Sequence, residues 1–194
     1  MHARITYLFL AAPFAAMLAV ALPAIAQPKK AEPAVQPKKA EPGAHPAAAS
    51  IAPKEIGKFE DWTAATHQES GQTVCYAFVR AQSSTPSVPG RGQVVLTVTE
   101  RPTGRDAVAI EAGFAYAPNA SATVQVDQAG LDFYTSQRNA FARDGKAAVA
   151  AFHKGARAIA RSPAAKEQQV TDTFSLKGFG AAYAAIVKAC PAKS

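Results

Sequence analysis

The sequence predicts a mainly β domain: a β-sandwich or partly open barrel of about 7–8 strands, with a short internal helix and a C-terminal helix. Three observations carry this. Short stretches alternate apolar and polar residues and are separated by Gly- and Pro-rich turns. The helical period of 3.6 appears only late in the chain. A low-complexity stretch ahead of residue 54 sets the remaining 141 residues apart, enough to close around one core.

The elements follow in order. Residues 59–66 hold the only tryptophan, Trp62, and read as the first strand. Glu69-Ser70-Gly71-Gln72 is a turn. In residues 73–80, Val74, Tyr76 and Phe78 fall on one face and Cys75, Ala77 and Val79 on the other. Pro86, Pro89 and Gly90 mark a loop. Residues 92–100 alternate again, with Val94, Leu96 and Val98 opposite Val95, Thr97 and Thr99. Arg101-Pro102-Thr103-Gly104 turns the chain into a strand over 107–114. Residues 123–127 and 131–135 flank Gln128-Ala129-Gly130 as a hairpin. Asp144 caps a helix over 145–154 that Gly155 ends. Strands follow at 156–161 and 170–176. Phe179, Ala182, Tyr183, Ile186, Val187 and Cys190 then fall on one face of a closing helix.

Residues 1–26 read as a cleavable signal peptide, with a short positive start (His2, Arg4), an apolar run over 5–22, and Ala24-Ile25-Ala26 before Gln27. A membrane anchor needs about 20 strongly apolar residues, and here Pro13 and Pro23 interrupt an Ala-rich run. No span is therefore expected after cleavage. Residues 27–53 form a linker in which Gln-Pro-Lys-Lys-Ala-Glu-Pro occurs twice, at 27–33 and 36–42. Proline removes amide donors and nothing large and apolar recurs, so the expectation is an extended, disordered spacer. The expected location is periplasmic, envelope-associated or secreted, by Gram-negative-type export.

The chain carries a net charge of +7, of which the domain from residue 54 holds +4 (16 basic, 12 acidic residues). A mildly basic exported domain points to an anionic envelope or host-surface partner. Nucleic acid is a poor partner for it, with no basic helix present. Two cysteines in an exported chain, Cys75 and Cys190, read as one disulfide.

No catalytic or metal motif stands out, and no cofactor is expected. His67 and His153 lack a partner signature, and there is no Gly-x-Ser-x-Gly elbow. Zinc needs three or four ligands at recognisable spacing. Glu60 and Asp61 are adjacent, so on a strand they point to opposite faces. Asp127 and Asp132 bracket a turn, where aspartate is common. Gly178-Phe179-Gly180 is too short for a phosphate loop and instead lets the chain turn into the last helix. One basic group is a candidate anion site: Arg80, Arg91 and Arg105, with Arg101 nearby, all at strand ends. The competing reading is a set of solvated strand ends.

Residues 57–190 resemble the invasion-associated locus B proteins of Gram-negative bacteria. The matching pieces are Gly57-Lys-Phe-Glu-Asp-Trp62, Cys75-Tyr76-Ala77, Arg91-Gly92 and Val98-Thr-Glu-Arg-Pro102. They continue with Thr171-Asp-Thr-Phe-Ser-Leu-Lys-Gly-Phe179 and Ala189-Cys190. The resemblance implies a non-catalytic, β-rich envelope protein serving host-cell attachment, invasion or envelope integrity, and it hands over no catalytic residues. The alternative is an envelope hydrolase, which would need His67 or His153 in a cleft beside an acid and a hydroxyl.

Overall fold

A computed structural model describes residues 52–164 and 168–193. The signal peptide expected at 1–26 and nearly all of the linker expected at 27–53 lie outside the described residues.

The described chain is a mainly antiparallel β structure with two helices. Its strands are β1 (Lys54–Phe59), β2 (Trp62–Glu69), β3 (Gln72–Arg80), β4 (Ser83–Thr85), β5 (Val95–Arg101), β6 (Gly104–Glu111), β7 (Ser121–Val126), β8 (Ala129–Ser136), β9 (Asn139–Ala142), β10 (Arg157–Pro163) and β11 (Gln169–Ser175). The helices are α1 (Gly145–Phe152) and α2 (Phe179–Ala189). The strands join in the order β1-β2-β3-β5-β6-β9-β8-β7-β10-β11-β4.

Although β3 and β4 are distant in that order, they are one continuous piece of chain. The Ala81 amide donates to Val94 beside β5, and the next amide, Gln82, donates to Thr173 in β11. The sheet thus bends back on itself at residues 81–82, as a partly open barrel with β1 and β2 continuing beyond the junction. Trp62 Nε1 donates to the Ser175 carbonyl at 3.0 Å, tying β2 to β11 across the bend.

There are more strands than the sequence predicts. The strand expected at 59–66 corresponds to β2, and an unexpected β1 precedes it, with Glu60 at a φ of 50° in the tight turn between them. Strands β4 and β9 have only three and four residues, too short to show alternation. The turn between β7 and β8 sits at Asp127-Gln128, with Asp127 at φ 49°.

The inner face carries Leu96, Val98, Ile110, Val124, Phe133 and Phe174, all essentially inaccessible to solvent. Both helices pack against the sheet, α2 on β1, β2, β3 and β5 and α1 on β6 and β8. Phe179 of α2 stands edge-on to Trp62 (4.9 Å) and to Phe152 of α1 (5.5 Å), so one aromatic cluster joins the helices to the sheet. Asp144 caps α1 through the Ala147 amide at 2.9 Å. Gly178 caps α2 with a φ of 83°, and a Cβ there would run into the Phe59 carbonyl.

Candidate functional site

The arginines read as strand-end groups meet four different fates. Arg91 is buried. Its side chain is 5 % exposed and faces Asp172, at 1 %. Nη1 and Nη2 donate to the two carboxylate oxygens at 2.8 and 2.7 Å, and Nε donates to the Ala112 carbonyl at 2.7 Å. Ser84 Oγ donates to the same carboxylate at 2.6 Å, and the guanidinium lies 4.9 Å from the Phe114 ring centroid. This bidentate arrangement is the strong form of an arginine–carboxylate pair. It sits where β4 joins β11, at the bend that folds the sheet back. Close by, Gly92 donates to Gly113, whose φ is 75° and whose Cβ, if present, would lie 2.6 Å from the Gly92 carbonyl oxygen. For Arg91 the expectation of an exposed anion site is therefore corrected: the guanidinium is occupied by Asp172.

Arg105 is three-quarters buried. Nη1 donates to the Cys190 carbonyl, and Nε lies 2.6 Å from Glu100 Oε2. The guanidinium is thus engaged at the foot of α2 rather than presented to a ligand. Arg101 makes an exposed bridge to Glu69 at 2.8 Å, and this arginine holds the Glu69 carboxyl below its usual range. Arg80 is exposed. It donates to Gln93 at 2.8 Å and stands 5.8 Å from the Phe78 ring. Of the three proposed anion-binding residues, only Arg80 has an open head group.

The most perturbed carboxyl among the described residues is Glu100. Strand β5 puts it in phase with Leu96 and Val98, so it points inward and is fully buried. A bulge in the β5–β6 pairing sets Arg105 and Asp106 opposite it, with Asp106 at φ 56°. The Asp106 amide donates to Oε1 at 3.2 Å, while Oε2 accepts no directed hydrogen bond despite the nearness of Arg105. Burial pushes the Glu100 carboxyl up to about 7. The Asp106 amide and Arg105 oppose that rise, and the Asp106 carboxylate adds to it. Tyr183 of α2 donates to Asp106 Oδ1 at 2.5 Å, and burial, reinforced by that donation, holds its phenol well above its ordinary range.

Cys75 lies directly across from Glu100 in the β3–β5 ladder and is disulfide-bonded to Cys190 at the end of α2. Arg105, Tyr183 and the disulfide thus fasten α2 to one polar cluster under the sheet.

This cluster makes a pH prediction. The folded-state pKa of Glu100, about 7, lies above the ordinary 4.5. The folded state therefore holds the proton more tightly. The resulting stability is fully present below pH 4.5 and is lost as pH rises through 7. Glu100→Gln should make the domain about 2–3 kcal/mol more stable than wild type at pH 8, with the advantage shrinking to near zero at pH 4.5. Urea titrations of both proteins across that window check it. Parallel pH profiles would mean that folding does not raise the Glu100 carboxyl.

The histidines make aromatic contacts, and His153 touches the polar cluster through Tyr183. His67 lies edge-on to Tyr76, and His153 is edge-on to Phe179 and Tyr183. Neither is hydrogen-bonded to an acid or a hydroxyl among the described residues, although His153 packs against Tyr183, whose hydroxyl donates to Asp106. No group of three His, Cys, Asp or Glu side chains is placed to hold a metal among the described residues. A cavity of about 400 Å³ lies beside the disulfide, lined by Gln72, Thr73, Pro102, Cys190 and Lys193 among others. A smaller one of about 180 Å³ is flanked by Asp61, Phe78 and Arg80. Neither is lined by a histidine.

Sequence reasoning missed Asp172 and Glu100. The signal was present: each is a carboxylate in phase with buried residues of its strand, Val170 and Phe174 for one, Leu96 and Val98 for the other.

Comparison with known proteins adds a family. The family model described as invasion associated locus B (IalB) protein matches residues 62–187. The crystal structure of invasion associated protein B from Bartonella henselae is similar in fold, with a TM-score of 0.50 and 18% identity. The match covers 69% of this chain and 95% of that one. No curated protein sequence matches.

Proposed function

The chain belongs to the invasion associated locus B family, and we propose that it is an exported envelope protein that acts by contact rather than catalysis, in host-cell attachment, invasion or envelope integrity. The observation that carries this reading is where the reactive side chains are spent. Arg91 and Asp172 bind each other, Tyr116 shares a 2.9 Å hydrogen bond with Ser162, and Tyr183, Asp106, Glu100 and Arg105 form one partly buried network. All of these tie strands or helices together, whereas the exposed charge has a modest basic excess among the described residues. Export is supported by the signal-like residues 1–26 and by the Cys75–Cys190 disulfide, which suits an oxidising compartment. No described helix is long and apolar enough to cross a membrane.

The contact is with an anionic surface, reached through open cations such as Arg80, Arg143 and Arg161. Fractionation of the producing bacterium tests the location. The protein is expected in the envelope or medium with Gln27, or its cyclised form, at its N-terminus. Retention of that protein by bacterial envelopes and by host cells should fall as salt rises, because exposed charges are screened over about 8–10 Å near physiological ionic strength. A cytoplasmic protein still beginning at Met1, or retention that ignores salt, would refute the reading.

A further inference from the structure

The outer face of the sheet carries a row that the contact reading does not use. Strand register places Phe78, Thr97, Ala109, Phe141 and Tyr134 side by side across β3, β5, β6, β9 and β8. Tyr76 stacks on Phe78 at 6.0 Å, and Tyr134 stacks on Phe141 at 5.4 Å. The row therefore ends in two aromatic pads, with small side chains between them. At the usual strand spacing of about 4.8 Å, Phe78 and Phe141, three strands apart, are about 14 Å from each other. Each pad has an arginine against it: Arg80 stands 5.8 Å from the Phe78 ring and Arg143 5.8 Å from the Tyr134 ring. Tyr134 is 44% exposed. Arg143 is also exposed and ion-pairs with no carboxylate among the described residues.

We propose that this row is a binding face for an acidic polysaccharide of the uronate-bearing kind displayed on animal cell surfaces. The inference rests on the contact reading above and names its partner. Pyranose rings have apolar C–H faces that lie on aromatic rings, and the two pads are spaced for several linked sugars. The arginines beside them match carboxylates carried at intervals along such a chain. Glu111 and Asp132, one strand-row away on either side, make the face mixed in charge and disfavour a densely charged polymer. The row crosses the middle of paired strands, so no free backbone edge is available there to an extended peptide. The chain's own residues 27–53, with four lysines against two glutamates, carry the wrong sign.

Titration of the mature protein with hyaluronan oligosaccharides, polyphosphate and purified peptidoglycan sacculi tests this. Hyaluronan is expected to bind, and Tyr134→Ala and Phe78→Ala each to weaken it about tenfold, the scale of one lost aromatic contact. Tyr134→Phe should bind like wild type, since the ring is kept. Arg143→Ala should weaken binding and flatten its salt dependence, while polyphosphate binding ignores Tyr134→Ala. Hyaluronan binding unchanged in both ring variants would overturn the proposal, even if salt still weakened it and the broader anionic contact survived. Failure of every acidic polymer to bind at low salt would sink both readings. Ring-dependent binding to sacculi but not hyaluronan would overturn the assigned partner. So would a self-association that Tyr134→Ala abolishes.

Discussion

Asp172→Ala is expected to destabilise the domain by about 3–5 kcal/mol, because it leaves Arg91 charged, buried and unpartnered. The carboxylate receives two guanidinium hydrogen bonds and one from Ser84, and alanine can accept none of them. The loss falls at the junction of β4 with β11, so the bend that closes the sheet should loosen with it. Against a typical stability of about 5–15 kcal/mol, such a change lowers the melting temperature severely. Arg91→Ala should be comparable. Replacing both at once with apolar residues of similar volume, Arg91→Met with Asp172→Leu, should cost much less than the two single changes added together. Thermal and urea unfolding of wild type, the two alanine variants and the apolar double variant compare these costs. Small effects in both alanine variants would show that the pair is solvated in solution.

Reduction of the Cys75–Cys190 bridge should be the other large effect. It closes a loop across 115 residues, for which chain-entropy estimates give about 4–5 kcal/mol, and often less in practice. The bridge also holds the end of α2 near Arg105 and Glu100. Cys75→Ala with Cys190→Ala should therefore lower stability markedly while the far-ultraviolet spectrum keeps its β character. Thiol titration of the denatured, unreduced wild type should find no free thiol. Two titratable thiols, or an unchanged melting temperature in the double variant, would contradict this.

Much of this fold was legible from period alone. The alternation in residues 73–80 and the single apolar face of residues 179–190 correspond directly to β3 and α2, and the two cysteines on them meet. Strands β4 and β9 were not legible, since three or four residues cannot display a period, and their pairing depends on distant partners. The arginines show the same limit. From sequence, Arg91 and Arg80 are alike, each near a strand end. What separates them is Asp172, 81 residues further on, which the bend of the sheet brings to Arg91. The outer aromatic row was hidden for a similar reason. Phe78, Phe141 and Tyr134 line up only through the register of several hairpins, and no local pattern joins them.

The central claim is that the protein acts by contact and not by catalysis, and the Glu100–Asp106–Tyr183 cluster is where that claim is most exposed. It holds a carboxyl raised to about 7, beside a second acid and a phenol, and raised acids of this kind often mark active sites. The decisive measurement is complementation by Glu100→Gln with Tyr183→Phe in a bacterium whose attachment to or invasion of host cells falls when the gene is deleted. Folded protein in the envelope is quantified in parallel. The expected result is attachment and invasion restored to the wild-type level at equal amounts of folded protein. Failure to restore them, with the variant folded and correctly located, would contradict the account and assign the cluster a chemical role.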